Sequence, residues 1–91
     1  MFTKNKKRGT VQFTVRPPNG GVQAYLAGGF KEWKPLAMKK QPDGRFALAV
    51  PLPAGRHEYK FIVDGRWMTD PDHSQWVPNP YGSFNSLAEV E

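Results

Sequence analysis

Apolar and polar residues alternate along the chain in short runs, and nowhere does an apolar set recur at i, i+3, i+4, i+7 over a useful length. Val11, Phe13 and Val15 alternate with Gln12, Thr14 and Arg16. An extended run resumes from Val22 to Ala27, after the turn residues Pro17-Pro18-Asn19-Gly20-Gly21. Gly28-Gly29 opens a loop that carries Phe30 and Trp33 and closes at Pro35. Leu36 to Lys40 and Arg45 to Val50 flank Pro42-Asp43-Gly44, a hairpin signal, with Phe46, Leu48 and Val50 on one face. Arg56 to Val63 is the longest strand, Arg66 to Thr69 returns, and Ser86 to Val90 closes the sheet. Asp70 to Tyr81 reads as a loop with three prolines, long enough to suggest a role. Roughly seven short strands separated by Gly/Pro turns predict an all-β fold, an immunoglobulin-like antiparallel β-sandwich. An OB-type barrel is the competing topology.

One hairpin can be worked out residue by residue. Asp64-Gly65 is the signature of a two-residue type I′ turn, which requires positive φ at both positions. Such a turn pairs Val63 with Arg66 and Ile62 with Trp67, and paired residues share a face. Tyr59, Phe61 and Val63 form the more apolar face and point to the core. Trp67 then projects with Lys60 away from it, although Ile62 shares that outward face. A shift of one residue in register would bury the tryptophan instead.

Ninety-one residues make one domain, expected to span residues 10–91 behind a basic, partly disordered tail at residues 1–9. The tail holds Lys4, Lys6, Lys7 and Arg8, a large part of the net charge of +5. Cysteine is absent, so disulfides and thiolate chemistry are excluded. The polar-apolar alternation after the basic start lacks the apolar stretch of a signal peptide, and no apolar run has the length of a membrane span. A cytoplasmic setting is the expectation.

The tryptophans pose the functional question. Trp33 sits between charged residues in its loop, Trp67 on the outward sheet face and Trp76 in the long loop. Trp67 either covers a sheet edge under the Asp70–Tyr81 loop or stands open to a ligand. Two exposed indoles on a small sheet form a platform that suits nucleobases or the apolar C–H faces of sugars.

Three segments carry a resemblance: LAGGFKEWKPLAM, LPAGRHEYKFIVDGRWMTDP and VPNPYGSFNSLAEV. In that order they resemble the family 48 carbohydrate-binding modules, the early-set domains found in kinase β subunits, isoamylases and branching enzymes. The resemblance implies an early-set β-sandwich that binds α-1,4-linked glucans (glycogen, starch or maltooligosaccharides) and performs no catalysis. It implies sugar stacking by Trp33 and Trp67, hydroxyl contacts from Lys60 and Asn85, and loop contacts from Tyr81 and Ser83. Where kinase β subunits carry leucine this chain has Tyr81, and the family's frequent Asn-Asn is Lys31-Glu32. No cofactor or metal is implied; as a protein-interaction module the domain would dock on a glycogen-metabolism enzyme or a kinase.

The residue types suit that chemistry. A flat indole removes a sugar face from water with few rotors to freeze. Lys60 supplies only donors, while the Asn85 amide both donates and accepts. A shallow platform of this kind implies Kd values on the order of tens of micromolar to millimolar. Three rivals stand beside it. An enzyme would need paired acids at defined separation, and the only cluster is Asp64, Asp70 and Asp72. Asp70, Asp72 and His73 lack the spacing of a metal site. A single-stranded nucleic-acid binder would use the basic charge but lacks a recognisable aromatic motif, and a protein-interaction module remains the third alternative.

Overall fold

Residues 2–4, 9–17, 21–73 and 75–90 are described by a computed structural model. In chain order its strands are β1 (Phe2–Lys4), β2 (Thr10–Val15), β3 (Ala24–Gly28), β4 (Leu36–Ala37), β5 (Lys39–Lys40), β6 (Phe46–Pro51), β7 (Gly55–Val63), β8 (Arg66–Met68), β9 (Trp76–Pro78) and β10 (Phe84–Val90). They form two sheets of antiparallel ladders. One runs β1-β2-β6-β5; the other runs β4-β3-β7-β10-β9, with β8 paired to β7. The architecture is the expected immunoglobulin-like sandwich rather than the closed barrel.

Period-two alternation explains which residues meet between the sheets. Val11, Phe13 and Val15 of β2 pair with Val50, Leu48 and Phe46 of β6, so these apolar sets line one inner face. Leu26, Tyr59, Phe61, Val63 and Ala88 supply the other, and together they form one buried cluster. Tyr59 stands edge-on to Phe13 at 4.9 Å and to Phe61 at 5.6 Å, the edge-to-face geometry that aromatic rings favour. Phe30 stacks on Phe13 at 6.0 Å, and its ring lies against Gly28, where an added Cβ would come within 2.2 Å of it. Gly28 is therefore a position of close approach. Only hydrogen fits there.

Three local features differ from the pattern reading. The run from Leu36 to Lys40 is divided between the sheets: β4 pairs with β3, and β5 pairs with β6. Met38 marks the crossing, with its side chain buried and its N–H donating to the Ala24 carbonyl at 3.0 Å. The Asp70–Tyr81 loop contains β9, which pairs with β10. Within the stretch expected to be tail, Phe2–Lys4 pairs with β2, and Phe2 packs edge-on to His73 at 4.9 Å. Lys6, Lys7 and Arg8 lie outside the described residues.

The DP segment of the long loop serves the fold. Asp70 is fully buried, accepts the Tyr59 hydroxyl at 2.7 Å and donates its own N–H to Ser86 Oγ at 2.7 Å. Its second oxygen accepts the Asp72 N–H at 2.9 Å, which closes the turn. Burial pushes the Tyr59 hydroxyl far above its ordinary range, and its bond to the Asp70 carboxylate adds to the shift. His73 donates Nε2–H to the Leu87 carbonyl at 2.7 Å. Among the described residues, no cluster of three His, Cys, Asp or Glu side chains could hold a metal, and no helix is long and apolar enough to cross a membrane.

Candidate functional site

The β7–β8 turn sets the direction of the first aromatic. Asp64 and Gly65 have φ of 49° and 83°, as a type I′ turn requires. The ladder pairs Val63 with Arg66 and Ile62 with Trp67. Trp67 therefore projects from the outer sheet face and is 51% exposed. Asp64 ties the turn down: one carboxylate oxygen accepts the Val22 and Gln23 N–H groups at 2.9 and 3.0 Å, just before β3. Ile62 is buried on that outer face. It pairs with Trp67 on one side and Tyr25 on the other, and directly paired side chains shield one another.

Trp33 arrives from the loop after β3. A single 3₁₀ turn at Gly29–Lys31 ends in two consecutive left-handed residues, Glu32 at φ 55° and Trp33 at φ 62°. The Trp33 N–H donates to the Gly28 carbonyl at 2.9 Å, which fixes this conformation. A left-handed backbone at a bulky aromatic is rare and costs on the order of 1–3 kcal/mol. Local preference is overridden here to direct the half-buried indole into the groove.

Lys60 and Asn85 come together through the β7–β10 ladder. Ser86 pairs with Tyr59, so Asn85 and Lys60, one residue to either side, reach the outer face next to each other. Lys60 Nζ lies 3.5 Å from Ser83 Oγ on the turn between β9 and β10. That turn is organised by Asn79, whose Oδ1 accepts the N–H groups of Tyr81 and Ser83 at 3.0 and 3.1 Å. Asn85 is buried; it donates to Glu58 Oε1 at 2.9 Å and accepts from Asn79 Nδ2 at 3.1 Å. Tyr81 stands at the rim, 90% exposed.

All six residues expected to contact a ligand line one groove of about 1200 Å³: Trp33, Lys60, Trp67, Tyr81, Ser83 and Asn85. Glu32, Arg56, His57, Glu58, Asn79 and Pro80 line it too and were not anticipated as site residues. Glu58 could have been found from the sequence, because it stands two residues before Lys60 and so shares its face. Asn79 gave no such signal. Trp76 lies outside this groove, 53% exposed, with its ring 6.0 Å from that of Phe84. It plugs neither the core nor the groove.

Similarity to known proteins covers most of the chain. Residues 11–91 match the family described as the glycogen recognition site of AMP-activated protein kinase. The chain is 36% identical over 72 residues to 5'-AMP-activated protein kinase subunit beta-1 of Homo sapiens, covering 79% of this chain and 26% of that protein. Its likeness to the beta-1 subunit of Sus scrofa is the same over 57% of that protein. The beta-2 subunit of Mus musculus is 32% identical over 77 residues, 85% of this chain and 28% of that protein. The chain thus spans between about a quarter and somewhat over half the length of these relatives. A solved structure of the maltogenic amylase from S. marinus shares the fold, with a TM-score of 0.75 and 22% identity over 90% of this chain and 13% of that chain. With the sandwich, the groove and these matches together, the chain belongs to the carbohydrate-binding family of the AMP-activated protein kinase glycogen recognition site.

Proposed function

We propose that this domain binds α-1,4-linked glucans in the groove between Trp33, Lys60, Trp67 and the Asn79–Ser83 turn, and carries out no chemistry on them. The convergence of two indoles, an amine and an amide on one open groove supports this reading most strongly. Trp33 and Trp67 stack on the C–H faces of successive glucose rings, which buries apolar area without freezing many rotors. Lys60, Ser83 and Asn85, neighbours on the same wall of the groove, meet the hydroxyl edge. Tyr81 rests on the ligand from the rim.

Two of the three carboxylates in the sequence's acid cluster are spent on the fold. Asp64 caps two backbone N–H groups, and Asp70 is sealed against Tyr59. The relatives' names make them kinase subunits, which supports association with a kinase; docking on a glycogen-metabolism enzyme and a cytoplasmic setting belong to the same proposal. Titration of maltoheptaose, β-cyclodextrin and poly-U, followed by tryptophan fluorescence at low and high salt, tests it. A salt-insensitive response to the two sugars alone is expected. Salt-sensitive binding of poly-U alone would replace the reading with nucleic-acid recognition.

A further inference from the structure

A chain of polar side chains runs along one wall of the groove, and every hydrogen bond in it points the same way. The Tyr81 and Ser83 N–H groups donate to Asn79 Oδ1. Asn79 Nδ2 donates to Asn85 Oδ1, and Asn85 Nδ2 donates to Glu58 Oε1. The chain connects three separate elements: the β9–β10 turn, β10 and β7.

An asparagine amide is chemically lopsided, with two donors at one end and two acceptor lone pairs at the other. Its orientation therefore decides what a ligand meets. Glu58 accepts through Oε1, so it requires the nitrogen of Asn85. Asn79 has its oxygen occupied by two main-chain donors and offers its nitrogen, so it requires the oxygen of Asn85. Both neighbours enforce the same orientation of a side chain that is only 6% exposed. One N–H and one lone pair of Asn85 remain, in a fixed order along the groove wall.

We propose that Glu58 and Asn79 are positioning residues that lock the amide orientation of Asn85 and hold its remaining N–H and lone pair ready for the sugar hydroxyls. This rests on the glucan reading and sharpens it. A sugar hydroxyl both donates and accepts and can rotate to match, so the gain lies in an amide that is already fixed when the ligand arrives. An altered neighbour would set Asn85 against a like partner, donor to donor or acceptor to acceptor, and unpaired buried polar groups weaken binding strongly. Asn79 contributes twice, because the same side chain holds the backbone of Tyr81 and Ser83 in place.

Two near-isosteric substitutions separate this role from a merely structural one. Asn79→Asp keeps the acceptor for the Tyr81 and Ser83 N–H groups but turns an oxygen toward Asn85 Oδ1. Glu58→Gln can offer either end of its amide, so it permits the native orientation of Asn85 without enforcing it. Calorimetric titration with maltoheptaose is expected to find Asn79→Asp about tenfold weaker than the unsubstituted domain, with Glu58→Gln weakened by about threefold. Asn79→Asp within about twofold of the unsubstituted domain, or Glu58→Gln with no loss at all, overturns the proposal. A second readout uses the unsubstituted domain alone. The Asn85 side-chain amide signal in ¹⁵N NMR must shift on saturation with maltoheptaose, and a stationary signal overturns the proposal even if Asn79→Asp fails to fold. If the unsubstituted domain binds no maltoheptaose, the glucan reading itself fails. If it binds, loses binding in Trp67→Ala and tolerates Asn79→Asp, only the polarity relay is wrong.

Discussion

Trp67 stands directly across the β7–β8 ladder from Ile62, so a buried aliphatic residue supports an exposed indole on the outer face of the sheet. The pair resolves an apparent conflict. Ile62 is on the solvent side by strand parity, yet it is buried, because Tyr25 and Trp67 flank it. It serves as the floor of the platform rather than as core between the sheets. Ile62→Ala should therefore lower stability by about 2 kcal/mol, at the small end of the range for such truncations. It should also weaken glucan binding by letting the indole tilt. Urea denaturation and calorimetry on the same samples measure both effects; a loss of stability without any loss of affinity would remove Ile62 from the platform.

Gly65 aims the same ring from the turn. Its φ of 83° lies in the left-handed region, and nothing stands within 4 Å of an added Cβ. The cost of Gly65→Ala is then conformational, about 1–2 kcal/mol, with no steric term. Affinity should fall with it, since the turn fixes the register that places Trp67 outward. Gly28→Ala provides the contrast. There the conflict is with the Phe30 ring, and a larger loss of stability is expected from displacing a ring that packs on Phe13.

The Tyr59–Asp70 bond links the core to the alkaline stability of the domain. The folded-state value of the Tyr59 hydroxyl lies above its unfolded value of about 10. Its contribution is fully present below pH 10. As pH rises beyond that, the unfolded chain releases the proton while the folded one retains it, and stability falls by up to about 1.4 kcal/mol per pH unit. Until the domain unfolds, alkaline titration should give the same tyrosinate absorbance for the unsubstituted protein and Tyr59→Phe. A smaller amplitude in Tyr59→Phe at pH 11 would show that Tyr59 ionises in the folded state. The same substitution should cost about 1–3 kcal/mol at neutral pH by leaving the Asp70 carboxylate short of a donor.

Much of this was legible in the sequence because it depends on short-range rules. Strand alternation gave the buried faces of β2 and β6, and the Asp64-Gly65 turn set the register that turns Trp67 and Lys60 outward. What escaped the pattern depends on contacts distant in the chain. The run Leu36–Lys40 reads as one strand, and only the burial of Met38 and its bond to Ala24 divide it between the sheets. β9 is hidden because Trp76-Val77-Pro78 is too short to alternate and includes a proline. Trp33, Tyr81, Ser83 and Asn85 sit on loops or a strand end, where periodicity has no hold; the charged neighbours of Trp33 pointed it to the surface, and the other three were anticipated only through the family resemblance. Asn79 and Glu58 act through Asn85, and Glu58 lies 27 residues away from it along the chain.

The central claim is that Trp67 holds the glucan and does not hold the fold. Calorimetry of the unsubstituted domain and of Trp67→Ala against maltoheptaose, with urea midpoints on both, tests it most directly. The unsubstituted domain should bind with Kd on the order of tens of micromolar to millimolar. Trp67→Ala should lose at least about tenfold in affinity and stay folded, its urea midpoint lowered only by the partial uncovering of Ile62. Unchanged affinity, or a variant that no longer folds, would contradict the claim.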